Sequence, residues 1–440
     1  MSYLDRIRAA HADPELLEQT YRSAVQQGER EAFIRALEDA YAATPNHLLY
    51  GAWHYRLAYE LARPARRVVP WLAAVALAVV NGLVLWWLSS ERFMVQVEGS
   101  DYLPLVLLVW APISAISVLA LLSRSGAGQP WRATGLGVAA AAVAAYPLWA
   151  YAFIGDVALQ RHYLEQMIPH LALLAWASVG LFVLHGRSAP LNRFAFLIKS
   201  LEIFITAGLF AIAGGVFVAI TVGLFEALSI TLSDVVMRLL IFGGAGLIPV
   251  LATTLIYDAN IAPSAQSFED GLSRVIAALM RALLPLTLVV LVIYLGFIPF
   301  RFWEPFQNRD VLIVYNAMLF AVIALLVGAT PIQPEQLAPA LRVWLRRGLV
   351  AVAALAIVVS LYALAAIGYR TWEGGITLNR LTIIGWNVIN VGILVRLLLH
   401  QRRANLSTWA REMQATFAAG MPVYAVWALF VVFATPWLFR

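Results

Sequence analysis

The chain has 440 residues, 62% of them hydrophobic and only 13% Asp, Glu, Lys or Arg, with a formal net charge of +6. Soluble domains run about 45–50% apolar and about 25% charged, so this composition excludes a globule exposed to water on all sides. There is no cysteine, which excludes disulfides, thiolate metal sites and cysteine nucleophiles. The basic residues are scattered through short loops with no basic domain, so the positive charge does not point to nucleic acid.

Residues 1–62 are the one long polar stretch and read as a short cytosolic helical module, with no apolar signal-peptide core near the start. Asp13 and Pro14 suit an N-cap and first helical position. Leu16, Leu17, Tyr21, Ala24 and Val25 then recur at helical spacing up to a stop at Gly28. A second helix is predicted over 29–43, with Phe33, Ile34, Leu37 and Tyr41 on one face. A third follows Thr44 and Pro45 and carries Trp53 and Leu57. Three short helices hold little core of their own. The module is therefore expected to lie on the rest of the chain or to dock a protein partner.

Residues 63–440 contain about eleven apolar runs, near 68–88, 103–122, 133–154, 169–185, 201–228, 235–256, 275–299, 311–329, 348–367, 381–400 and 417–439. A run of about 20 apolar residues spans a hydrocarbon layer of about 30 Å. The expected fold is an all-α polytopic transmembrane helical bundle, its two regions being 1–62 and 63–440. Alternate loops are rich in arginine: Arg63, Arg66 and Arg67, then Arg124 and Arg132, then Arg187, Arg193 and Lys199, then Arg342, Arg346 and Arg347, then Arg402 and Arg403. Basic loops stay in the cytosol. This places the chain in a bacterial inner membrane with its N-terminus cytosolic and its C-terminus external. Two of the basic loops, 334–347 and 405–417, alternate Leu341, Trp344 and Leu345, or Trp409, Met413 and Phe417, with polar residues. They are expected to lie as short helices in the headgroup layer.

Charge inside a span is costly and requires a partner. The expected pairs are Lys199 with Glu202, Glu226 with Arg238, and Asp258 with Arg281. Asn387 and Asn390 share a face of the tenth span, Asn316 lies in the eighth and Asn81 in the first. Hydrogen bonding between helices is the favoured reading of these amides, and a polar lining for a solute path is the alternative. Ala207, Ala211, Gly215, Ala219 and Gly223 form a ridge of small residues along the fifth span. That ridge predicts a place at the bundle centre or at a homo-oligomer interface.

No cofactor or metal is expected. His170 and His185 sit at opposite ends of one short span and His400 at a boundary, a poor arrangement for haem ligation. Glu91, Glu98 and Asp101 occupy the first external loop, as acids do in multi-pass lipid-linked glycosyltransferases, but the loop is only about a dozen residues long.

Gly375-Ile376-Thr377-Leu378-Asn379-Arg380, just before the tenth span, resembles the Y-G-L-T-x-N-R signature of the bacterial multi-pass membrane family DUF4153. Gly374 stands where that signature has tyrosine. The resemblance implies a many-spanned membrane protein and carries no mechanism with it. Thr377 suits an N-cap. Arg380 then falls in the first turn, where the helix dipole disfavours a cation, so a partner among Glu373, Glu304, Asp310 and Glu226 is expected.

Three functions are consistent with these features. The first is transport or permeation of a small solute or ion, lined by Arg380, Asn379, Asn387, Asn390 and Asn316. The second is a non-catalytic scaffold, sensor or complex subunit that binds a partner through residues 1–62. A membrane enzyme of the glycosyltransferase kind is the lesser third.

Overall fold

The computed structural model describes residues 2–27, 29–62, 70–98, 101–127, 129–268 and 271–439. The stop expected at Gly28 and the arginines at 63, 66 and 67 lie outside them. The chain divides into two compact units, Met1–Val69 and Pro70–Arg440.

The first unit holds four helices: α1 (Tyr3–Ala9), α2 (Pro14–Gln26), α3 (Arg30–Ala43) and α4 (Leu48–Ala62). Helix α1 was not anticipated, although Ser2 and Asp5 form a reciprocal capping box at its start. Its presence changes the energetics. With a fourth amphipathic face, the module closes an internal core of Ile7, Leu17, Phe33, Leu37, Trp53 and Leu57, all at most 5% exposed. Phe33 meets Tyr3, Tyr21 and Trp53 in tilted or edge-on contacts. The expectation of a module with little core of its own is thereby corrected. Tyr50 Oη donates to the Ile7 carbonyl at 3.1 Å, and Arg56 donates to Glu18 at 2.8 Å. Hydrogen bonds from Arg56 and then Arg22 hold the Glu18 carboxyl below the usual carboxylate range.

The second unit contains eleven helices long and apolar enough to cross a membrane. They are α5 (Trp71–Leu88), α6 (Leu105–Leu122), α7 (Pro130–Ala150), α8 (Val157–Val183), α9 (Pro190–Ala227), α10 (Asp234–Ile256), α11 (Gly271–Phe297), α12 (Arg309–Ala329), α13 (Pro339–Gly374), α14 (Leu378–Arg403) and α15 (Trp409–Leu438). This is an all-α, multi-pass membrane architecture. A small antiparallel hairpin, β1 (Met94–Glu98) and β2 (Asp101–Pro104), joins α5 to α6. The hairpin was not expected, and nothing is described of the side chains of Glu98 and Asp101.

The helices pack around several cores. One joins α11 to α15 with the start of α9, through Phe194, Leu284, Leu326, Leu349, Leu394 and Phe417. Another joins α5, α6, α10 and the end of α8, through Ala78, Leu119, Val183 and Val250. Within it, Gly82 of α5 and Gly246 of α10 approach so closely that a Cβ on Gly246 would lie 2.7 Å from the Gly82 Cα. Asn81 locks this crossing. Its Nδ2 donates to the Gly246 carbonyl at 2.6 Å and to Ser114 Oγ at 3.1 Å, and its Oδ1 accepts from Ser117 at 3.0 Å.

Three expectations need correction. The segments 334–347 and 405–417 do not form separate headgroup helices. Most of each is the first turns of α13 or α15, with Leu345, Trp409 and Met413 fully buried. No helix breaker separates either segment from its span, and Arg346 ties both together by donating to the carbonyls of Gln401 and Ala404 at 2.9 and 2.7 Å. The small-residue ridge is not at the bundle centre. Gly215 and Gly223 have open space where a Cβ would stand, and the neighbouring Ile212, Phe217 and Leu224 are exposed. Small spacing permits a close approach but does not choose the face. The fourth span begins at Val157 rather than 169, because Asp156 caps it and α8 continues through Pro169.

Candidate functional site

The longer α8 builds a cleft that a helix beginning at residue 169 would lack. The Asp156 carboxylate accepts from Ala158 N at 2.8 Å. The helix then carries His162, Gln166 and His170 at intervals of four, hence on one face. Helix α14 forms the facing wall. Thr377 Oγ1 accepts from Arg380 N at 3.3 Å, the expected N-cap, and Asn379, Thr382 and Trp386 follow along one side. Phe320 of α12 closes the third side. The space enclosed is about 530 Å³, within the range of about 300–1,000 Å³ that suits small ligands.

The polar groups of the cleft are joined across its walls. Gln166 Nε2 donates to Asn379 Oδ1. Deeper, Trp386 Nε1 donates to His170 Nε2 at 3.2 Å, and His170 Nδ1 meets the Gln166 carbonyl at 2.6 Å. An indole N–H only donates, so this imidazole is neutral with its proton on Nδ1, and both of its nitrogens are occupied. At the mouth, Glu165 takes Arg161 at 2.9 Å and His162 at 3.7 Å, all three half-exposed. Trp386 is the floor, about 10 Å below Asn379 at 1.5 Å rise per residue. Its ring packs on Phe320 and Tyr424, with centroids 5.4 and 5.6 Å away. An aromatic floor under walls of amide and imidazole fits a small polar solute with one flat or apolar face.

Beneath that floor the amides pair between helices. Asn387 Nδ2 donates to Asn316 Oδ1 at 2.6 Å, joining α14 to α12. Tyr424 Oη donates to Asn390 Oδ1 at 2.5 Å, joining α15 to α14. Asn387 and Asn390 are each 1% exposed, and neither lines the cleft.

Nothing among protein-family models, curated proteins or solved structures matches this chain.

Of the residues singled out in the sequence, Asn379 is the one that reaches the cleft. Arg380 turns back and donates to the Gly375 carbonyl at 2.6 Å, so a carbonyl takes the place of the expected carboxylate. Glu373 accepts from Tyr369 instead. Gly375 has φ +73°, the left-handed region that glycine tolerates. A Cβ at Gly374 would stand 3.0 Å from Arg380 Nη1, so glycine at this signature position leaves room for the guanidinium.

The charge pairs divide. Lys199 Nζ donates to Glu202 at 2.8 Å and to Ser273 Oγ at 3.1 Å, and Ser273 donates to Glu202 at 2.6 Å. Lys199 and Glu202 are 2% exposed, and this network ties α9 to α11. The pairing of Glu226 with Arg238 is corrected: Arg238 takes Asp234, one turn away on its own helix, at 2.7 Å. The pairing of Asp258 with Arg281 is corrected too, because Asn260 occupies the Asp258 carboxylate through its N and Nδ2, both at 2.9 Å. In both cases a local partner is reached without ordering a distant side chain.

His162, Glu165, Gln166, Thr382, Trp386 and Phe320 escaped the sequence reading. The Asp156 cap and the four-residue spacing of His162, Gln166 and His170 were the available signals. They were masked because α8's charged first turns look like loop.

Proposed function

We propose that the chain is a permease of the bacterial cytoplasmic membrane, moving a small polar solute that enters the cleft between α8, α12 and α14. The cleft itself carries this reading: it opens at one end of the bundle and stops at Trp386, above a paired-amide layer. The arginine-rich loops put the opposite end in the cytosol, so the cleft faces outward. Asn387 with Asn316, and Asn390 with Tyr424, then act as the closed gate beneath the solute. Passage requires these bonds to exchange, as in alternating access about a fixed site. The Thr377–Arg380 segment that shapes one wall is the part resembling DUF4153, and relation to that family belongs to the same proposal.

Because the chain lacks cysteine, single-cysteine accessibility tests the gate. Thr382→Cys is expected to react with an impermeant maleimide added outside intact cells. Asn387→Cys is expected to react only during solute flux, and Trp386→Ala to abolish solute protection at position 382. Silence of Asn387→Cys under all conditions, with no uptake into proteoliposomes, would leave a solute receptor and remove the permease.

A partner-binding subunit is the second reading, supported by the self-contained core of the first unit together with its exposed Leu48 and Tyr55. Deleting residues 1–62 is expected to leave cleft labelling intact while losing a stoichiometric partner. Retention of every partner counts against it.

A further inference from the structure

A second, smaller recess lies at the arginine-rich end of the bundle, where α6, α8 and α10 terminate and α7 begins. The ends of α6 and α8 give it an apolar floor, and Gln129, Arg132, His185, Arg187 and Tyr257 line its polar side. Among the described residues that line it, none is acidic. Arg132 donates to Gln129 Oε1 at 2.8 Å and Arg187 to the Ile261 carbonyl at 3.3 Å, so each guanidinium is steadied by a neutral acceptor. The neighbouring carboxylate, Asp258, is turned to Asn260. A guanidinium has five N–H donors, and one such bond leaves others for a ligand. Burial, opposed by Arg187, pushes the Tyr257 phenol up to about 12, so it remains protonated at neutral pH.

Two guanidiniums sharing one recess repel each other unless an anion lies between them, and planar guanidinium donors match the oxygens of phosphate. The volume of about 150 Å³ falls below that of a whole-solute pocket but accommodates one phosphate group. Basic pockets between helices at the cytosolic side recognise anionic headgroups in this manner. We propose that Arg132, Arg187, His185 and Gln129 form a seat for a phosphate group, supplied by an anionic phospholipid or by free phosphate. The site is separate from the cleft and does not depend on the permease reading.

The test compares full-length protein in phosphatidylcholine nanodiscs, in nanodiscs with added phosphatidylglycerol, and in detergent with inorganic phosphate, reading the unfolding temperature. Phosphatidylglycerol is expected to raise it, with an apparent affinity at least tenfold weaker in Arg132→Gln/Arg187→Gln and unchanged in Arg342→Gln/Arg347→Gln. If inorganic phosphate reproduces the rise and the double variant loses it, the free ion is the ligand. If phosphate is inert, the lipid is. Equal responses of wild type and double variant overturn the seat. So does a wild type that responds to neither probe, a result that stands even if the double variant fails to fold, with Arg187→Gln then replacing it.

Discussion

Lys199→Met is expected to destabilise the folded chain by about 3–5 kcal/mol, the cost of leaving one member of a buried ion pair without its counter-charge. Lys199 Nζ contacts Glu202 and Ser273 in a setting 2% exposed. Removing it leaves a carboxylate facing apolar side chains. The double variant Lys199→Met/Glu202→Leu should recover much of the loss, since no isolated charge remains, and the coupling between the two sites is read from a double-mutant cycle. Arg238→Met provides the contrast. Its partner Asp234 is 72% exposed in its side chain, and such pairs contribute about 0–1 kcal/mol. Unfolding in mixed micelles measures all four variants. A Lys199→Met variant as stable as Arg238→Met would mean that the buried network contributes nothing to stability.

The second large effect is expected at Gly82. A Cβ there would stand 2.6 Å from the Gly243 carbonyl oxygen, a backbone atom that cannot swing aside. Gly82→Ala must therefore push α5 from α10 and stretch the bond from Asn81 to the Gly246 carbonyl. Overpacking costs about 1–3 kcal/mol, and an orphaned buried polar group about 1–3 kcal/mol more. Gly215→Ala, where a Cβ would meet nothing within 4 Å, should shift stability by no more than about 0.5 kcal/mol. The same unfolding measurement decides, and a Gly82→Ala variant that matches Gly215→Ala would contradict the close crossing.

These two glycines show how packing hides from a sequence. The fifth span presents the more regular small-residue ridge, yet the ridge lies exposed, and the closest approach runs through Gly82 and Gly246. Residue size says only that a neighbour could come near. Where it does so, a π-helical turn at Leu239–Gly243 brings the Gly243 carbonyl to α5, and that turn has no periodic signature. The cleft was hidden for a related reason. Glu165 and Arg161 read as loop because charge lowers hydropathy, but they pair within α8's own first turns, where a helix tolerates them. Thr377 was legible because capping is local: a hydroxyl three residues from the amide it accepts from needs no tertiary partner.

By itself, the sequence determined that the chain crosses a membrane, the eleven apolar stretches that do so, and the local caps that start α8 and α14. Transfer of a helix into hydrocarbon depends on its own residues and on no neighbour. Only the tertiary structure decided which polar groups meet: Gln166 with Asn379, Asn387 with Asn316, and two arginines around one recess. Each of those outcomes depends on the rotation and depth of one helix against another, set by side-chain packing summed over many weak contacts, which no single span encodes.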